Sequence, residues 1–415
     1  MKTVDKLAID GGTAVRGKDN PLPQVFPRQI GPNVRRYIEE VLASGLLSDM
    51  IGRFEKAFAE LCGTKYAATL DNCTASVHAA TAAVGVEPGD HVVVSPITDY
   101  GSVAGVLWQN ALPLFPDVDI RTGNITADEI EKVLTPRTRA MIVVHFYGMP
   151  CDMDPIMALA RKRGIPVIED ACQAIMAEYR GRRTGLLADC AAFSFDGEKN
   201  MPADHGGAVT TNDEQIDAAV RKFGLARGAT PKPGYGRLHD SIGLNYRFGV
   251  LLSALALGNL ELLPQHTYQR QRMADLLSQK IAQIPGVHPP HVIPDTKPTW
   301  WLYYFRFDLD QFTADLDTLS AALNAEGLAG GPGRYYLLPE SHTFLTDRGH
   351  LYGKTKFPFD YFPAVDIPNY SLDMCPKARA HLNSVFRTFW TEKFTERDIA
   401  DIATIVHKVA GHYRK

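Results

Sequence analysis

The chain has 415 residues, of which 45% are hydrophobic and 22% charged, and its formal net charge is −3. This composition is typical of a globular protein long enough for two domains, and the lack of a basic patch gives nucleic-acid binding no support. The 6 cysteines lack C-x-x-C spacing and the histidines lack metal-ligand spacing, so we expect a cytoplasmic protein with reduced thiols, without a metal site and without a membrane-spanning segment.

The first predicted core strand, Tyr66 to Leu70, leads into a polar turn, Asp71 to Ser76, and then into a helix of small residues, Val77 to Val84. A polar turn that opens a helix presents N–H groups and hydroxyls at the positive end of the helix dipole. Such a turn favours binding of an anion. An ordinary helix N-cap explains the same residues without any ligand.

Strands and helices then alternate along the chain. His91 to Pro96, Leu112 to Asp119 and Ala140 to His145 are predicted strands, and Thr126 to Val133 and Asp154 to Arg163 are predicted helices. This rhythm predicts an α/β protein with a mostly parallel sheet and helices on both faces.

The next predicted strand, Pro166 to Glu169, is followed by the acidic residue Asp170. The carboxyl ends of parallel strands are where open α/β sheets bind ligands. Asp170 is therefore a candidate site residue, although a helix cap or a salt bridge would also explain a carboxylate there.

A lysine follows the next apolar run, Cys190 to Phe195. Gly197 breaks this run, and Lys199 then lies on a loop before Gly206 and Gly207. A desolvated lysine has a lowered pKa and can attack a carbonyl as the neutral amine. A lysine facing an aldehyde and an aspartate facing a ring nitrogen are the two protein groups that pyridoxal phosphate needs. The alternative is a surface-loop lysine.

The C-terminal part of the sequence predicts a second, smaller α/β domain. Gly228 to Ser241 is predicted to be a long loop, and Pro264 is predicted to break or kink the helical region from Leu251 to Ile284. We place the domain boundary there, with an N-terminal segment and large domain at 1–264 and a small domain at 265–415.

Several of these motifs resemble the DegT/StrS family of pyridoxal-phosphate-dependent sugar and aminocyclitol aminotransferases. They are Val-Ile-Glu-Asp170-Ala-Cys-Gln173-Ala, Phe-Ser194-Phe-x-x-x-Lys199-Asn and Gly206-Gly207-Ala-Val, with further likeness at Gly11-Gly12 and from Trp301 to Asp308. The resemblance covers nearly the whole chain. It implies aminotransferase fold type I, pyridoxal phosphate as cofactor and a homodimer.

The resemblance also implies roles for particular residues. Lys199 is expected to carry the cofactor and to move the proton, and Asp170 to hold the pyridinium nitrogen. Gln173 is expected beside the phenolate oxygen of the cofactor. The residues expected to bind the cofactor phosphate are Thr74, Ala75 and Ser194.

One further phosphate contact is expected to cross the dimer interface. The segment from Gly243 to Arg247 resembles one that the family sends into the partner subunit, where Asn245 would reach the partner's cofactor phosphate. A simple helix-entry turn is the alternative.

The sequence departs from the family pattern at three places. Cys73 replaces the usual Gly of the phosphate turn, Asp99 lies where an aromatic residue usually stacks on the pyridine ring, and His205 replaces a Glu. We expect Tyr100 to supply the stacking face, the alternative being a core tyrosine.

The expected function is transfer of an amino group from glutamine or glutamate to a ketosugar or keto-cyclitol, in aminosugar or aminoglycoside-type antibiotic biosynthesis. The alternatives are a sugar dehydratase, in which a His takes the position of Lys199, and a non-catalytic relative. Tyr335, Tyr336 and His342 are candidates for the substrate entrance or for solvent-facing positions.

Overall fold

The computed structural model describes residues 6–337, 341, 343–347 and 354–415. The strands of this part of the chain are β1 (Tyr66–Leu70), β2 (His91–Val94), β3 (Leu112–Leu114), β4 (Thr138–Val144), β5 (Val167–Asp170), β6 (Glu178–Tyr179), β7 (Arg182–Arg183), β8 (Cys190–Ser194), β9 (Gly207–Thr211), β10 (Ala229–Lys232), β11 (Gly236–His239), β12 (Val287–His288), β13 (Thr296–Lys297), β14 (Leu302–Phe307), β15 (Gly330–Pro332) and β16 (Val385–Phe389).

The helices of the same residues are α1 (Val34–Ala43), α2 (Met50–Cys62), α3 (Cys73–Ala83), α4 (Gly101–Trp108), α5 (Ala127–Val133), α6 (Met153–Arg163), α7 (Glu214–Val220), α8 (Val250–Leu260), α9 (Leu263–Ile281), α10 (Leu316–Ala325), α11 (Thr343–Thr346), α12 (Pro376–Ser384) and α13 (Glu396–Tyr413). None of them is both long and apolar enough to cross a lipid bilayer.

A seven-stranded sheet forms the centre of the larger part of the molecule. Its strand order is β1-β9-β8-β5-β4-β2-β3, and only β9 runs antiparallel to its neighbours. The predicted α/β architecture with a mostly parallel sheet is confirmed.

Apolar clusters pack against both faces of this sheet. Successive side chains of a strand point to opposite faces and therefore enter different clusters. In β8, Ala191 and Phe193 belong to one apolar cluster, whereas Cys190 and Ala192 belong to the other. The Phe193 ring packs edge-on against Phe58 of α2, with 5.1 Å between ring centres. The run from Cys190 to Phe193 is therefore apolar at every position, as expected for a strand buried on both sides.

Several loops converge at one edge of the sheet. Gly207, the first residue of β9, is paired with both Leu70 of β1 and Ser194 of β8, so the ends of those two strands lie on either side of it. A side chain at position 207 would have its Cβ 2.5 Å from the carbonyl oxygen of Asn72, and glycine is required at this close approach. The turn before α3 and the loop after β8 thus meet at the same edge.

The segment from Gly228 to Ser241, predicted to be a loop, instead contains a β-hairpin. β10 and β11 pair from Ala229 opposite His239 to Lys232 opposite Gly236. Gly234 and Gly236 adopt positive φ angles of 82° and 75°, which let the chain reverse. The prediction was wrong because every residue of β11 is exposed, so no apolar alternation marks the strand.

The C-terminal part forms a smaller α/β unit, as predicted. Its antiparallel sheet has the order β12-β14-β16-β15 and packs with α10 and α12, while α13 packs against α9 and α10. Pro264 lies in the first turn of α9 and separates this helix from α8, which agrees with the predicted break. The division at residue 264 remains a prediction.

The N-terminal segment packs on the C-terminal unit. The carboxylate of Glu326 accepts the backbone N–H groups of Ala8 and Val15, at 2.8 and 3.1 Å. Arg16 forms a nearly buried ion pair with Asp398 of α13, at 2.6 Å. These contacts fix the segment from Ala8 to Arg16 against α13 and the end of α10.

Candidate active site

A cavity of about 390 Å³ opens where the loops converge at the sheet edge. Its walls come from the turn before α3, the start of α4, the end of β5, the loop after β8 and the residue before β14. Five of the residues predicted from sequence line it: Thr74, Asp170, Gln173, Ser194 and Lys199.

Asp170 lies at the bottom of this cavity and is only 1% exposed. Its Oδ2 accepts a hydrogen bond from the Ser102 hydroxyl at 2.6 Å, and its Oδ1 accepts the Cys172 N–H at 3.2 Å. The Ser102 hydroxyl lies 2.6 Å from that of Thr98. The buried carboxylate is therefore held in one orientation by contacts from α4 and from the loop after β5.

A fully buried pair supports the end of β5 beneath Asp170. His145 and Glu169 are both 0% exposed, and their Nε2 and Oε2 atoms lie 3.0 Å apart. The Cys151 N–H donates to Nδ1 of His145, so Nε2 carries the proton and donates to Glu169. Because Glu169 also accepts N–H groups of the loop at 185–188, this pair fixes the strand end from below.

The turn before α3 has the geometry of a helix N-terminus. Asn72 is the N-cap, and its Oδ1 accepts the Ala75 N–H at 2.8 Å. Thr74 is exposed in the cavity wall, whereas Ala75 is buried behind it. The start of α4 lies alongside, since a Cβ at Gly101 would lie 2.7 Å from the Thr74 hydroxyl. The cavity wall therefore carries the positive ends of two adjacent helices.

Lys199 is half-buried, between the desolvated lysine and the surface-loop lysine that the sequence left open. Its Nζ lies 3.7 Å from the centre of the Trp301 ring. The loop is anchored by the Arg28 guanidinium, which donates to the carbonyl oxygens of Gly197 and Lys199 at 3.0 and 2.8 Å. Trp301 also donates its indole N–H to the Glu198 carbonyl at 3.0 Å. Both contacts fix the path of the loop that presents the amine.

Trp301 is held in turn by a buried arginine of α9. Arg270 donates to the Trp300 carbonyl at 3.1 Å and to the Trp301 carbonyl at 3.4 Å, and it pairs with Glu392 at 2.7 Å. Burial lowers the pKa of Arg270 to about 10, against the opposing effect of the Glu392 charge. The pair thus ties the indole over Lys199 to the core of the smaller unit.

Gln173 and Ser194 complete the predicted set. Gln173 is 2% exposed, and its Oε1 accepts the Tyr147 N–H at 2.7 Å. The buried Ser194 hydroxyl accepts the Asp196 N–H at 3.3 Å. With its oxygen engaged, the Gln173 side chain has its NH₂ group available as a donor to the cavity.

Besides Ala75, two of the predicted residues do not line the cavity of their own chain. Tyr100 is 38% exposed and precedes α4, and the wall at this point is formed by Asp99, whose carboxylate accepts the Gly101 N–H at 2.9 Å. Asn245 is exposed on the segment beside the end of β1. The stacking role of Tyr100 and the cross-subunit role of Asn245 remain predictions. His342 and the side chains of Tyr335 and Tyr336 lie outside the described residues.

Sequence reasoning missed four residues of the site. Ser102 and Trp301 were within segments noted for other reasons, but their contacts with Asp170 and Lys199 join positions 68 and 102 residues apart. Arg28 belongs to none of the motifs on which the sequence analysis rests. Cys172 was part of a family motif, without a sign that its sulfur lies close to that of Cys73.

The residues of the cavity fit pyridoxal phosphate. A buried carboxylate suits a pyridinium nitrogen, a half-buried amine on the same cavity suits an aldehyde, and two helix N-termini suit a phosphate. No part of this set requires a metal ion.

Comparison with known proteins identifies relatives along most of the chain. Residues 28–357 match the family described as the DegT/DnrJ/EryC1/StrS aminotransferase family. The chain is 38% identical over 311 residues to GDP-perosamine synthase of Caulobacter vibrioides. This alignment covers 72% of this chain and 83% of that protein. It is 32% identical over 329 residues to a putative L-glutamine:3-amino-2,3-dideoxy-scyllo-inosose aminotransferase of Micromonospora echinospora, which covers 78% of each.

A solved structure extends the likeness to three dimensions. The crystal structure of DesV from S. venezuelae, in complex with a ketimine intermediate, matches with a TM-score of 0.78 at 28% identity. The match covers 91% of this chain and 94% of that one. It confirms the predicted fold type.

Proposed function

Since the chain belongs to the DegT/DnrJ/EryC1/StrS family and is a pyridoxal-phosphate-dependent aminotransferase, we propose that it moves an amino group from glutamine or glutamate to a ketosugar or keto-cyclitol. The observation that carries the proposal is the cavity that brings together Lys199, Asp170 and the N-terminus of α3. These are the groups needed to hold the cofactor and to move one proton.

Lys199 is the proposed catalytic base. When bound, the cofactor supplies an electron sink that stabilises negative charge on the carbon next to an amine. Lys199 would hold the cofactor covalently, and once an amino donor had displaced it, its free amine would remove or return the proton at the α-carbon of the donor. Its position against Trp301 keeps the amine within the cavity during this transfer.

Asp170 is the proposed partner of the ring nitrogen. Its carboxylate is buried and held by Ser102, so its charge acts at short range in a site with little water. A negative charge there keeps the nitrogen protonated, which is the condition for the ring to accept electrons. Ser102 thereby positions the acid without reaching the reacting atoms.

The phosphate is proposed to lie at the turn before α3. Thr74 and Ser194 offer hydroxyls from two sides of the cavity. Asn72 already takes the Ala75 N–H, so we assign Ala75 to shaping the turn and to excluding water rather than to donating its N–H. Gln173 would offer its NH₂ group to the ring oxygen of the cofactor.

The charged residues at the mouth of the cavity affect which acceptor can bind. Asp99, Asp196 and Glu198 are exposed carboxylates on this side, and His205 lies beside them. A nucleotide-linked sugar brings a negatively charged diphosphate, which these carboxylates repel unless cations of a partner subunit compensate. An uncharged cyclitol or sugar ring does not need compensating cations. Experiments should therefore compare charged with uncharged acceptors.

The proposed active unit is a homodimer. Asn245 is exposed and lies outside the cavity of its own chain, and the neighbouring Ile242 is 88% exposed. An exposed apolar side chain beside a polar one implied in phosphate binding fits a surface that is covered by a second copy.

The test is a two-step spectroscopic assay. The cofactor-loaded protein is mixed first with glutamine, glutamate or alanine, and conversion of the cofactor absorbance to that of its amine form is recorded. Ketosugars, keto-cyclitols and nucleotide-linked ketosugars are then added in turn. Conversion by glutamine or glutamate, reversed by one of these acceptors with formation of an aminated product, supports the proposal.

The same assay distinguishes amino transfer from the dehydratase alternative. An acceptor that loses a hydroxyl group without gaining nitrogen would overturn the proposed amino transfer. Lys199 argues against this outcome, because in the dehydratases that resemble this family a histidine takes that position.

A further inference from the structure

Two cysteine sulfurs lie together in the wall of the active-site cavity. The sulfur atoms of Cys73 and Cys172 and a carboxylate oxygen of Asp170 are all within 4.8 Å of one another. Cys73 is the first residue of α3, and Cys172 follows the end of β5. One thiol thus lies at the start of α3, where the phosphate is proposed to bind. The other lies in the loop that follows the buried acid Asp170.

These two thiols differ from the other four. Both are partly exposed and line the cavity, whereas Cys62, Cys151, Cys190 and Cys375 are buried. Burial raises the pKa of Cys375 to about 12 and that of the other three buried thiols further. The buried four are therefore protonated, inaccessible and unreactive at neutral pH.

The two thiols of the pair differ from each other. The neighbouring Cys73 side chain and, after it, burial raise the pKa of Cys172 well above its usual value. Cys172 therefore keeps its proton, and we assign Cys73 as the thiol that reacts first.

We propose that Cys73 and Cys172 form a redox-sensitive dithiol site, which peroxide oxidises to a disulfide in the cofactor-free protein and which bound cofactor shields. The shielding rests on the proposed function, since a cofactor that reaches from the turn before α3 to Asp170 covers both sulfurs. The oxidation itself rests only on the position of the two thiols.

The chemistry balances with peroxide as the oxidant. The Cys73 sulfur attacks one peroxide oxygen, so that a sulfenic acid forms and one water leaves. The Cys172 sulfur then attacks the sulfenic sulfur, the S–S bond forms and a second water leaves. The two thiols lose two hydrogens and two electrons, and the peroxide is reduced to water.

The disulfide would change the cofactor site. An S–S bond needs its sulfur atoms about 2 Å apart, so closing it draws the phosphate turn towards the end of β5. It also removes the cavity space between Thr74 and Asp170. Oxidised, cofactor-free protein is therefore expected to rebind pyridoxal phosphate only after reduction with dithiothreitol.

The test is peptide mapping of peroxide-treated protein. Cofactor-free protein in EDTA is treated with hydrogen peroxide, remaining thiols are alkylated, and the digest is searched for a peptide pair joined through Cys73 and Cys172. We expect this pair in the wild type and in Cys375→Ser, and we expect it to be lost in Cys73→Ser and Cys172→Ser and after reduction. Absence of the pair in the wild type, or a disulfide between other cysteines, would overturn the proposal.

A parallel sample tests the shielding. With pyridoxal phosphate at ten times its dissociation constant, only about one molecule in eleven is cofactor-free, so the rate of disulfide formation should fall roughly tenfold. An unchanged rate in protein whose cofactor occupancy is verified by absorbance would overturn the shielding. Disulfide formation in a protein that never binds the cofactor would support the dithiol site while contradicting the proposed function.

Discussion

The Nζ atom of Lys199 lies 3.7 Å from the centre of the Trp301 ring, and this contact joins the two parts of the molecule. Lys199 follows β8 of the large sheet, whereas Trp301 immediately precedes β14 of the small one. Attraction between an amine cation and an indole face contributes about 0.5–2 kcal/mol. The position of the amine therefore depends on how firmly the smaller unit holds the indole.

The first prediction concerns Arg270, which holds that indole through the Trp300 and Trp301 carbonyls. Arg270→Met leaves Glu392 buried without its counter-charge, and we expect a loss of stability of about 3–5 kcal/mol in chemical denaturation. Arg272→Met is the matched control, because Arg272 pairs with Glu396 at the surface and should change stability by about 1 kcal/mol or less. Equal losses in the two variants would contradict the buried anchor.

The second prediction is the pH dependence of the same pair. Burial, the largest single effect, would raise the pKa of Glu392, but the charge of Arg270, a backbone hydrogen bond and the nearby His266 and Arg28 together outweigh it, and the pKa in the folded protein lies below the usual value. The stabilisation is therefore complete above the unfolded-state pKa, about 4.3, and is lost as pH falls through the lowered folded-state value. The difference in unfolding midpoint between wild type and Glu392→Gln should be constant from pH 6 to 7 and shrink below about pH 4. A difference that grows in acid would contradict this assignment.

Sequence patterns were sufficient where one local property decides the structure. Tyr66–Leu70 is a strand as predicted, because its residues are small or apolar and a polar turn follows them. Lys199 and Asp170 were found because each follows a buried strand. The two residues lie at the same edge of the sheet because β5 and β8 are neighbouring parallel strands.

Contacts between distant segments were not predictable in the same way. Ser102 reaches Asp170 only because β2 and β5 end at the same sheet edge on either side of β4. The extent to which Lys199 is exposed depends on Trp301, which comes from another sheet. Neither relationship has a signal in local periodicity or spacing.

The third prediction tests Asp170. Asp170→Asn keeps the size of the side chain but removes the negative charge facing the cofactor ring, and we expect cofactor binding to persist while turnover falls on the order of a hundredfold or more. Asp204→Asn removes an exposed carboxylate near the same cavity and serves as the control. Near-wild-type turnover in Asp170→Asn would contradict the proposed role.

The fourth prediction tests the composite dimer. Lys199→Ala and Asn245→Asp should each be inactive, the latter because a carboxylate repels the cofactor phosphate. If Asn245 serves the partner's site, mixed dimers carry both lesions in one site and none in the other. Random exchange of chains should then restore about a quarter of wild-type activity. If the chains exchange and activity does not recover, Asn245 does not contribute to the partner's site.

The covalent bond to the cofactor gives the most direct test of the central claim. The purified protein is loaded with pyridoxal phosphate, reduced with borohydride, digested and mapped by mass spectrometry. Lys199 should carry the reduced cofactor, and Lys199→Ala should lose both the label and transamination, while Lys56→Ala, which changes an exposed lysine of α2, should keep both. Attachment of the reduced cofactor to another lysine, or to none, would contradict the proposed active site.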